Sequence, residues 1–180
     1  QISGTIDYHE KDDHSCLQRL RRLIAMLAAD VTPALAGHPP ADSIDKVYDI
    51  VSGDGSKEYD VRDLLTCIVD ADSLDEFKAG YGQTIVTSFA GLNGRPIGIV
   101  ANQRCRCQPK DASLEIGGVI YKESADKAAR FVMECNQTLL PLLFIQDVFG
   151  FMVGRDAEQS GIIRSGAKLV NAVSNSIVPK

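Results

Sequence analysis

The 180 residues contain no tryptophan, and only three methionines and three histidines. All three histidines, His9, His14 and His38, lie in the first 38 residues. Histidine-centred catalysis is therefore excluded from the rest of the chain, and these three read as surface residues. No apolar run approaches the roughly 20 residues needed to cross a bilayer as a helix, so direct membrane insertion is not expected. No GxSxG nucleophile elbow, phosphate-binding loop or dinucleotide fingerprint is present. Gly117-Gly118 fits no phosphate loop, because no Gly-Lys-Ser/Thr follows it. An excess of positive charge is also missing. Lys and Arg number 19 against 24 Asp and Glu, a net charge of -5, so there is no general attraction for nucleic acid or anionic lipid. This balance leaves room for a local basic pocket that takes an anionic cofactor such as coenzyme A. The start, Gln1-Ile2-Ser3-Gly4, has neither a basic nor an apolar region and does not read as a secretory signal. It also lacks an initiator methionine, as a trimmed chain would, or one that begins inside a longer gene product.

Five cysteines are present, and an odd number scattered through periodic segments reads as reduced thiols of a cytosolic protein. Cys105 and Cys107 form the only close pair. No second Cys or His pair lies at ligand spacing, so no metal site is expected.

What is present has the composition of an ordinary folded domain: 44% hydrophobic and 24% charged residues. Cys16, Leu17, Leu20, Leu23, Ile24 and Leu27 recur at helical spacing, with Asp12 and Asp13 at the start of that run. Residues 30–60 carry Pro33, Gly37, Pro39, Pro40, Gly53 and Gly55. They read as a connecting segment that ends at a boundary near Tyr59. Val61, Leu64, Leu65 and Ile68 fit a short helix. Two strands, Thr84 to Ala90 and Pro96 to Ala101, flank Asn93-Gly94, which is a strong hairpin signal because both residues tolerate positive φ. A polar, irregular loop from Gln103 to Ser113 follows. Beyond it come a helix from Ser124 to Leu139, a buried strand from Pro141 to Ile145, a helix from Gly161 to Ser174, and the opening of another strand at Ile177-Val178.

The stretch that could carry chemistry runs from Phe144 to Arg155. A buried strand ends there, a glycine-containing loop follows, and a helix begins soon after. Gly150 and Gly154 allow a tight turn and close approach of a ligand to the backbone. Free N–H groups in such a loop bind an oxyanion or a carboxylate without a side-chain base. The same residues also fit plain turn chemistry. Asp147 and Asp156 read either as a carboxylate pair or as a helix cap and a solvated loop residue. Asp126 to Arg130 reads as the polar face of an amphipathic helix.

Several segments, in one order, resemble the carboxyltransferase (beta) subunits of biotin-dependent acyl-CoA carboxylases. They are Ser3 to Tyr8 with Asp12-Asp13, Tyr59 to Leu65, Asp75 to Lys78 with Tyr81-Gly82, Asn93 to Asn102, and Ser124 to Phe131. The last is Gly150 to Gly154 followed by Gly161 to Arg164 and Gly166-Ala167-Lys168. The glycine loop and the Glu-Phe-Lys segment are most similar to the methylcrotonyl-CoA carboxylase and glutaconyl-CoA decarboxylase branch, which implies a branched or unsaturated acyl group. The resemblance implies an α/β, crotonase/ClpP-like fold of stacked ββα units, present in part. Residues 1–58 would be the end of the N-terminal half and its connection, and residues 59–180 the start of the C-terminal half. It further implies biotin on a carrier protein or domain, acyl-CoA as substrate, a biotin carboxylase or biotin carboxyl carrier subunit as partner, and a homo-oligomer. The expected location is cytoplasmic, or the mitochondrial matrix in a eukaryote. In the resembling enzymes carboxybiotin releases CO2 beside the acyl-CoA, and paired oxyanion holes stabilise the enolate and the biotin ureido oxygen. By position Gly150, Phe151, Val153 and Gly154 would contribute to the biotin-side pocket, while the N–H pairs that complete each hole would fall outside the 180 residues. The isolated chain is therefore expected to be inactive. Three alternatives remain: a biotin-dependent sodium-pump decarboxylase subunit such as glutaconyl-CoA decarboxylase, a crotonase-like hydratase or isomerase, and a non-catalytic assembly module. Two departures from the family pattern stand out. Phe149 replaces a small residue before Gly-Phe, and the Arg104-Cys105-Arg106-Cys107 run has no assigned role.

Overall fold

The computed structural model describes residues 2–27, 37–110 and 113–180. Its centre is a four-stranded sheet in the order β1-β2-β3-β4, built from Asp75–Phe77, Ile85–Leu92, Arg95–Asn102 and Leu142–Ile145. The first three strands are antiparallel neighbours, and β4 joins β3 in parallel, Gly98 opposite Leu142 and Ala101 opposite Ile145. A parallel neighbour requires a crossover. It is supplied by the helix Lys122–Gln137, called α4 here because α1 (Asp13–Leu27), α2 (Val47–Ile50) and α3 (Val61–Leu65) precede it. Two short strands, Val119–Ile120 and Gly150–Phe151, form a separate parallel pair beside this crossover.

The hairpin forms where Asn93-Gly94 predicts it. Leu92 pairs with Arg95, and both turn residues have positive φ, 51° and 76°. Asp70 completes the turn: its carboxylate accepts the Asn93 N–H at 2.8 Å and the Gly94 N–H at 2.7 Å.

Alternation sends successive side chains to opposite faces of the sheet. Ile85, Phe89 and Val100 face one core with Phe131, Val132 and Cys135 of α4. The Phe131 ring lies 4.9 Å from Phe89 and 5.4 Å from Phe77, centroid to centroid. Val86, Ala90, Ile97, Ile99 and Ala101 face a second core with Val61, Leu64 and Leu65 of α3. Both faces of β2 and β3 are covered, which is why these strands read as apolar runs. The helix α6 (Ile162–Asn175) packs against α4 on the first face.

Several expectations change. Helix α4 stops at Gln137, because Leu139 takes a left-handed φ of 58°. Ile177-Val178 does not open a strand. Instead Val178 is buried in the first core, and the Pro179 carbonyl accepts the Leu142 N–H at 2.8 Å. An unforeseen helix, α5 (Arg155–Ser160), precedes α6 and is separated from it by left-handed Gly161. Within the connecting segment, residues 28–36 lie outside the described residues, and 37–60 hold a 3-10 turn (Ile44–Lys46) and α2 rather than a wholly extended path. Along α1, Leu23 and Met26 meet the first core, whereas Leu17, Leu20 and Ile24 are exposed.

Candidate functional site

The Tyr59 to Leu65 segment organises the end of β3. Asp60 caps α3 by accepting the Arg62 N–H at 2.9 Å. Gln103, buried just beyond β3, donates to Asp60 at 2.8 Å and accepts the Val61 and Arg104 N–H groups at 2.9 Å each. Arg62 reaches across to Glu76 with two hydrogen bonds, of 2.8 and 3.0 Å. Two of the recognisable sequence segments are thereby joined.

The glycine loop lies past the carboxyl end of β4. Residues 146–149 lead from β4 into Gly150-Phe151, which lies parallel to Val119-Ile120. Backbone bonds fix this path: Phe149 N–H to the Gly118 carbonyl at 2.7 Å and Met152 N–H to the Ile120 carbonyl at 2.8 Å. Gly150 has φ 149° and Gly154 φ 117°, conformations that disfavour side chains. A Cβ at either glycine would meet nothing within 4 Å. The N–H groups of Val153 and Gly154 have no acceptor among the described residues. Helix α5 adds little attraction for an anion, since it has six residues with Asp156 and Glu158 in its first turn.

Two grooves flank this loop. One, about 340 Å³, is apolar and is walled by Phe151, Val153, Ile162 and Gly166. A Cβ at Gly166 would come within 3.0 Å of the Phe151 ring, so glycine there lets the ring lie on α6. The other, about 580 Å³, has a mixed lining, more polar than the first, and is walled by Val153, Gly154, Glu115, Tyr121 and Arg155. Of the four residues singled out from the sequence, Phe151, Val153 and Gly154 line grooves, whereas Gly150 lines neither. A larger groove, about 750 Å³, runs between residues 2–9 and Lys78. Two of the cations on its wall are already paired, Lys78 with Asp7 at 2.6 Å and Arg19 with Glu10 and Asp75.

Asp147 and Asp156 do not form a pair with one role. Asp147 accepts the Tyr59 hydroxyl at 2.9 Å and meets Arg104 at 3.1 Å. Asp156 is exposed in α5. Burial, then the hydrogen bond to Asp147, pushes the Tyr59 phenol up to about 12. Cys107 and Cys135 are buried thiols raised by burial to about 11 and about 12, and so are protonated and inert at neutral pH. Among the described residues no three metal-ligating side chains gather.

Among the buried ionisable groups that sequence reasoning missed are Lys127 and Glu115. Lys127, placed on a polar helix face by its neighbours in sequence, is 1% exposed, and its ammonium has no hydrogen-bond partner among the described residues. Burial lowers it to about 7. Glu115 is 8% exposed with one unpartnered oxygen, and burial, reinforced by Glu123, raises it to about 7. No local pattern marks either residue, because the groups that enclose them come from distant segments.

A sheet with helices on both faces, an antiparallel hairpin and a parallel strand returned by a helix describe a mixed α/β domain of crotonase-like type. The chain belongs to the carboxyl transferase domain family, which it matches over residues 1–180. It is 41% identical over 188 residues to the biotin-dependent 3-methylcrotonyl-coenzyme A carboxylase beta1 subunit of Mycobacterium tuberculosis, covering 100% of this chain and 32% of that protein. It is 34% identical over 182 residues to the methylmalonyl-CoA decarboxylase subunit alpha of Propionigenium modestum, covering 99% of this chain and 34% of that protein. Among solved structures, the transcarboxylase 12S hexamer with methylmalonyl-coenzyme A and methylmalonic acid bound superposes with a TM-score of 0.84 at 38% identity. The match covers 99% of this chain and 34% of that one. The chain thus spans about a third of the length of the curated relatives it matches.

Proposed function

We propose that these residues are part of the carboxyltransferase component of a biotin-dependent acyl-CoA carboxylase, which moves a carboxyl group between biotin and a branched or unsaturated acyl-CoA. In a chain that matches the carboxyl transferase domain from end to end, one observation carries the reading. Gly150 and Gly154 hold positive φ with open space above them, and the Val153 and Gly154 N–H groups between two grooves have no acceptor among the described residues. A ring carbonyl fits that opening, since the glycines leave room and the N–H groups donate. Bound biotin would supply the ureido group that carries the carboxyl. The Val153 and Gly154 N–H groups would hold its oxygen, and Gly150 and Gly154 would keep the backbone open to it. Phe151 and Val153 cover the apolar side and exclude water. Preorganised donors of this kind act without reorganising during the reaction.

In this reading residues 1–58 close the N-terminal half and connect it to residues 59–180, which open the C-terminal half. The carboxyl donor arrives on a biotin carboxyl carrier loaded by a biotin carboxylase subunit, and the active site forms between copies in a homo-oligomer. No described helix is long and apolar enough to cross a membrane. A cytoplasmic or mitochondrial-matrix location belongs to the same proposal. The likeness to a methylmalonyl-CoA decarboxylase subunit favours a second reading, in which the same transfer runs towards decarboxylation.

The test uses the whole subunit with free biocytin and measures CO2 release from malonyl-, methylmalonyl-, 3-methylglutaconyl- and glutaconyl-CoA. Biocytin-dependent release from the last two supports the branched or unsaturated class. No release from any of the four by the folded oligomer overturns the proposal. Co-purification with a biotin carboxylase subunit favours the carboxylase direction, and co-purification with a membrane decarboxylase subunit favours the second reading.

A further inference from the structure

Three sequence features have no role in the scheme above: the Arg104 run, Gly117-Gly118 and the large Phe149. The structure brings them together. The Arg104 guanidinium stacks over the Phe149 ring at 4.4 Å. Its Nε meets Asp147 at 3.1 Å, and its Nη2 donates to the Gly55 carbonyl at 3.0 Å. Asp147 also accepts the Tyr59 hydroxyl, so segments near residues 55, 59, 104 and 147 converge on one buried cation. Arg104 is 8% exposed, although its stacking partner is 73% exposed.

The two glycines make this stack possible. A Cβ on Gly117 would fall 2.2 Å from the Arg104 carbonyl oxygen. One on Gly118, whose φ is +75°, would fall 2.6 Å from Arg104 Nη1 and 3.0 Å from the Phe149 ring. The glycine pair thus serves close packing of Arg104 and Phe149 against the strand that pairs with Gly150-Phe151.

We infer that Arg104 is a positioning residue for the biotin-side loop. It holds Asp147 and Phe149 from both sides and so fixes the backbone that enters Gly150 and presents the Val153 and Gly154 N–H groups. This inference rests on the proposed function for its catalytic consequence, but not for its structural one. The guanidinium is needed for its plane as well as its charge: a lysine ammonium keeps the ion pair with Asp147 but cannot lie flat on the ring while donating to Gly55. Arg104 and Phe149 therefore depend on each other, and loss of either removes most of what the other contributes.

The experiment compares the whole subunit with its Arg104→Lys, Arg104→Gln, Phe149→Thr and Arg104→Gln/Phe149→Thr variants. Two readouts are used: steady-state kinetics with biocytin and an acyl-CoA, and exchange of the hydrogen-bonded Phe149 and Met152 amides without ligand. Arg104→Gln is expected to raise the KM for biocytin about tenfold or more, since small misplacements of binding groups carry losses of that order. The KM for acyl-CoA should stay unchanged, and exchange at the Phe149 and Met152 amides, whose bonds to the Gly118 and Ile120 carbonyls fix the loop, should accelerate. Arg104→Lys should recover less than half of the effect on a logarithmic scale, and the double variant should be no worse than Arg104→Gln. A merely structural Arg104 would lower thermal stability and the yield of active enzyme while leaving both KM values and the exchange pattern unchanged. That result, or additive effects of Arg104 and Phe149, overturns the inference. Should the unaltered subunit show no biocytin-dependent turnover, the proposed function fails by itself. The exchange measurement then decides the positioning role: faster exchange at the Phe149 and Met152 amides in Arg104→Gln supports it, and unchanged exchange ends it.

Discussion

Replacing Lys127 with methionine should stabilise the protein, with a gain that depends on pH in a defined direction. The Lys127 ammonium is buried near Glu76 of β1, Arg62 of α3, Cys107 and Glu115, and burial, offset only in part by Glu76, lowers it from 10.5 to about 7. Each tenfold change in proton affinity is worth about 1.4 kcal/mol, so at pH 6 the folded state carries a penalty on the order of 5 kcal/mol relative to the unfolded chain. Between about 7 and 10.5 the unfolded chain holds a proton that the folded protein has released, and the penalty shrinks as pH rises. At pH 9.5 only about 1 kcal/mol remains. Methionine keeps most of the unbranched stem without the charge. Urea unfolding of the whole subunit and of Lys127→Met, read by pulse proteolysis at pH 6 and pH 9.5, measures both quantities. The variant should be the more stable at pH 6, and its advantage should fall by several kcal/mol at pH 9.5. A variant less stable at pH 6, or an advantage independent of pH, would show that a partner stabilises the Lys127 ammonium in the folded protein.

Glu115 should act with the opposite slope. Its carboxyl is raised from 4.5 to about 7, so the folded state keeps a proton that the unfolded chain has lost, and stability falls as pH rises from about 4.5 to about 7. In Glu115→Gln that fall should vanish, as urea midpoints at pH 5 and pH 8 would reveal. Gly98→Ala places a Cβ 2.4 Å from Cys135 Sγ and should cost about 1–3 kcal/mol. Adding Cys135→Ala should recover most of that loss, and strictly additive losses in thermal denaturation would refute this contact as the cause. Asp70→Ala strips two N–H acceptors from the hairpin turn and should cost about 2–3 kcal/mol, with exchange accelerated at Asn93 and Gly94. The 180 residues alone should catalyse no carboxyl transfer with biocytin, and robust turnover by them would contradict the assignment of the missing oxyanion donors to the rest of the protein.

Local chemistry made much of the fold legible. Asn93-Gly94 set the hairpin because those residues tolerate positive φ at little cost, and the neighbouring strands had to pair in that register. The period of Ala125, Ala128, Ala129, Val132 and Cys135 placed α4 because burial on one face repeats every turn. Helix α5 escaped notice because none of its residues is buried and it has no apolar period to read. Ile177-Val178 looked like a strand because β-branched residues mark burial as much as extension, and here burial of Val178 does not come with a ladder. In the candidate site, the ordered segments and the glycines pointed to the loop at Gly150–Gly154, whose flanking grooves, and N–H groups without an acceptor among the described residues, come from its packing on Val119-Ile120 and α6.

By itself the sequence determined the elements whose cause is local: turns that need positive φ, helices with a buried stripe, strands covered on both faces, and the family to which their order belongs. Tertiary structure alone decided the state of the charged groups. Lys127 sits among Asp126, Arg130 and other polar neighbours in sequence, yet it is buried near Glu76, Arg62, Cys107 and Glu115, which come from other segments. Arg104 gained its partners from residues 43 to 49 positions away, Gly55 and Asp147. Ionisation and ion pairing depend on what lies within a few ångströms in space, and separation along the chain carries no information about that.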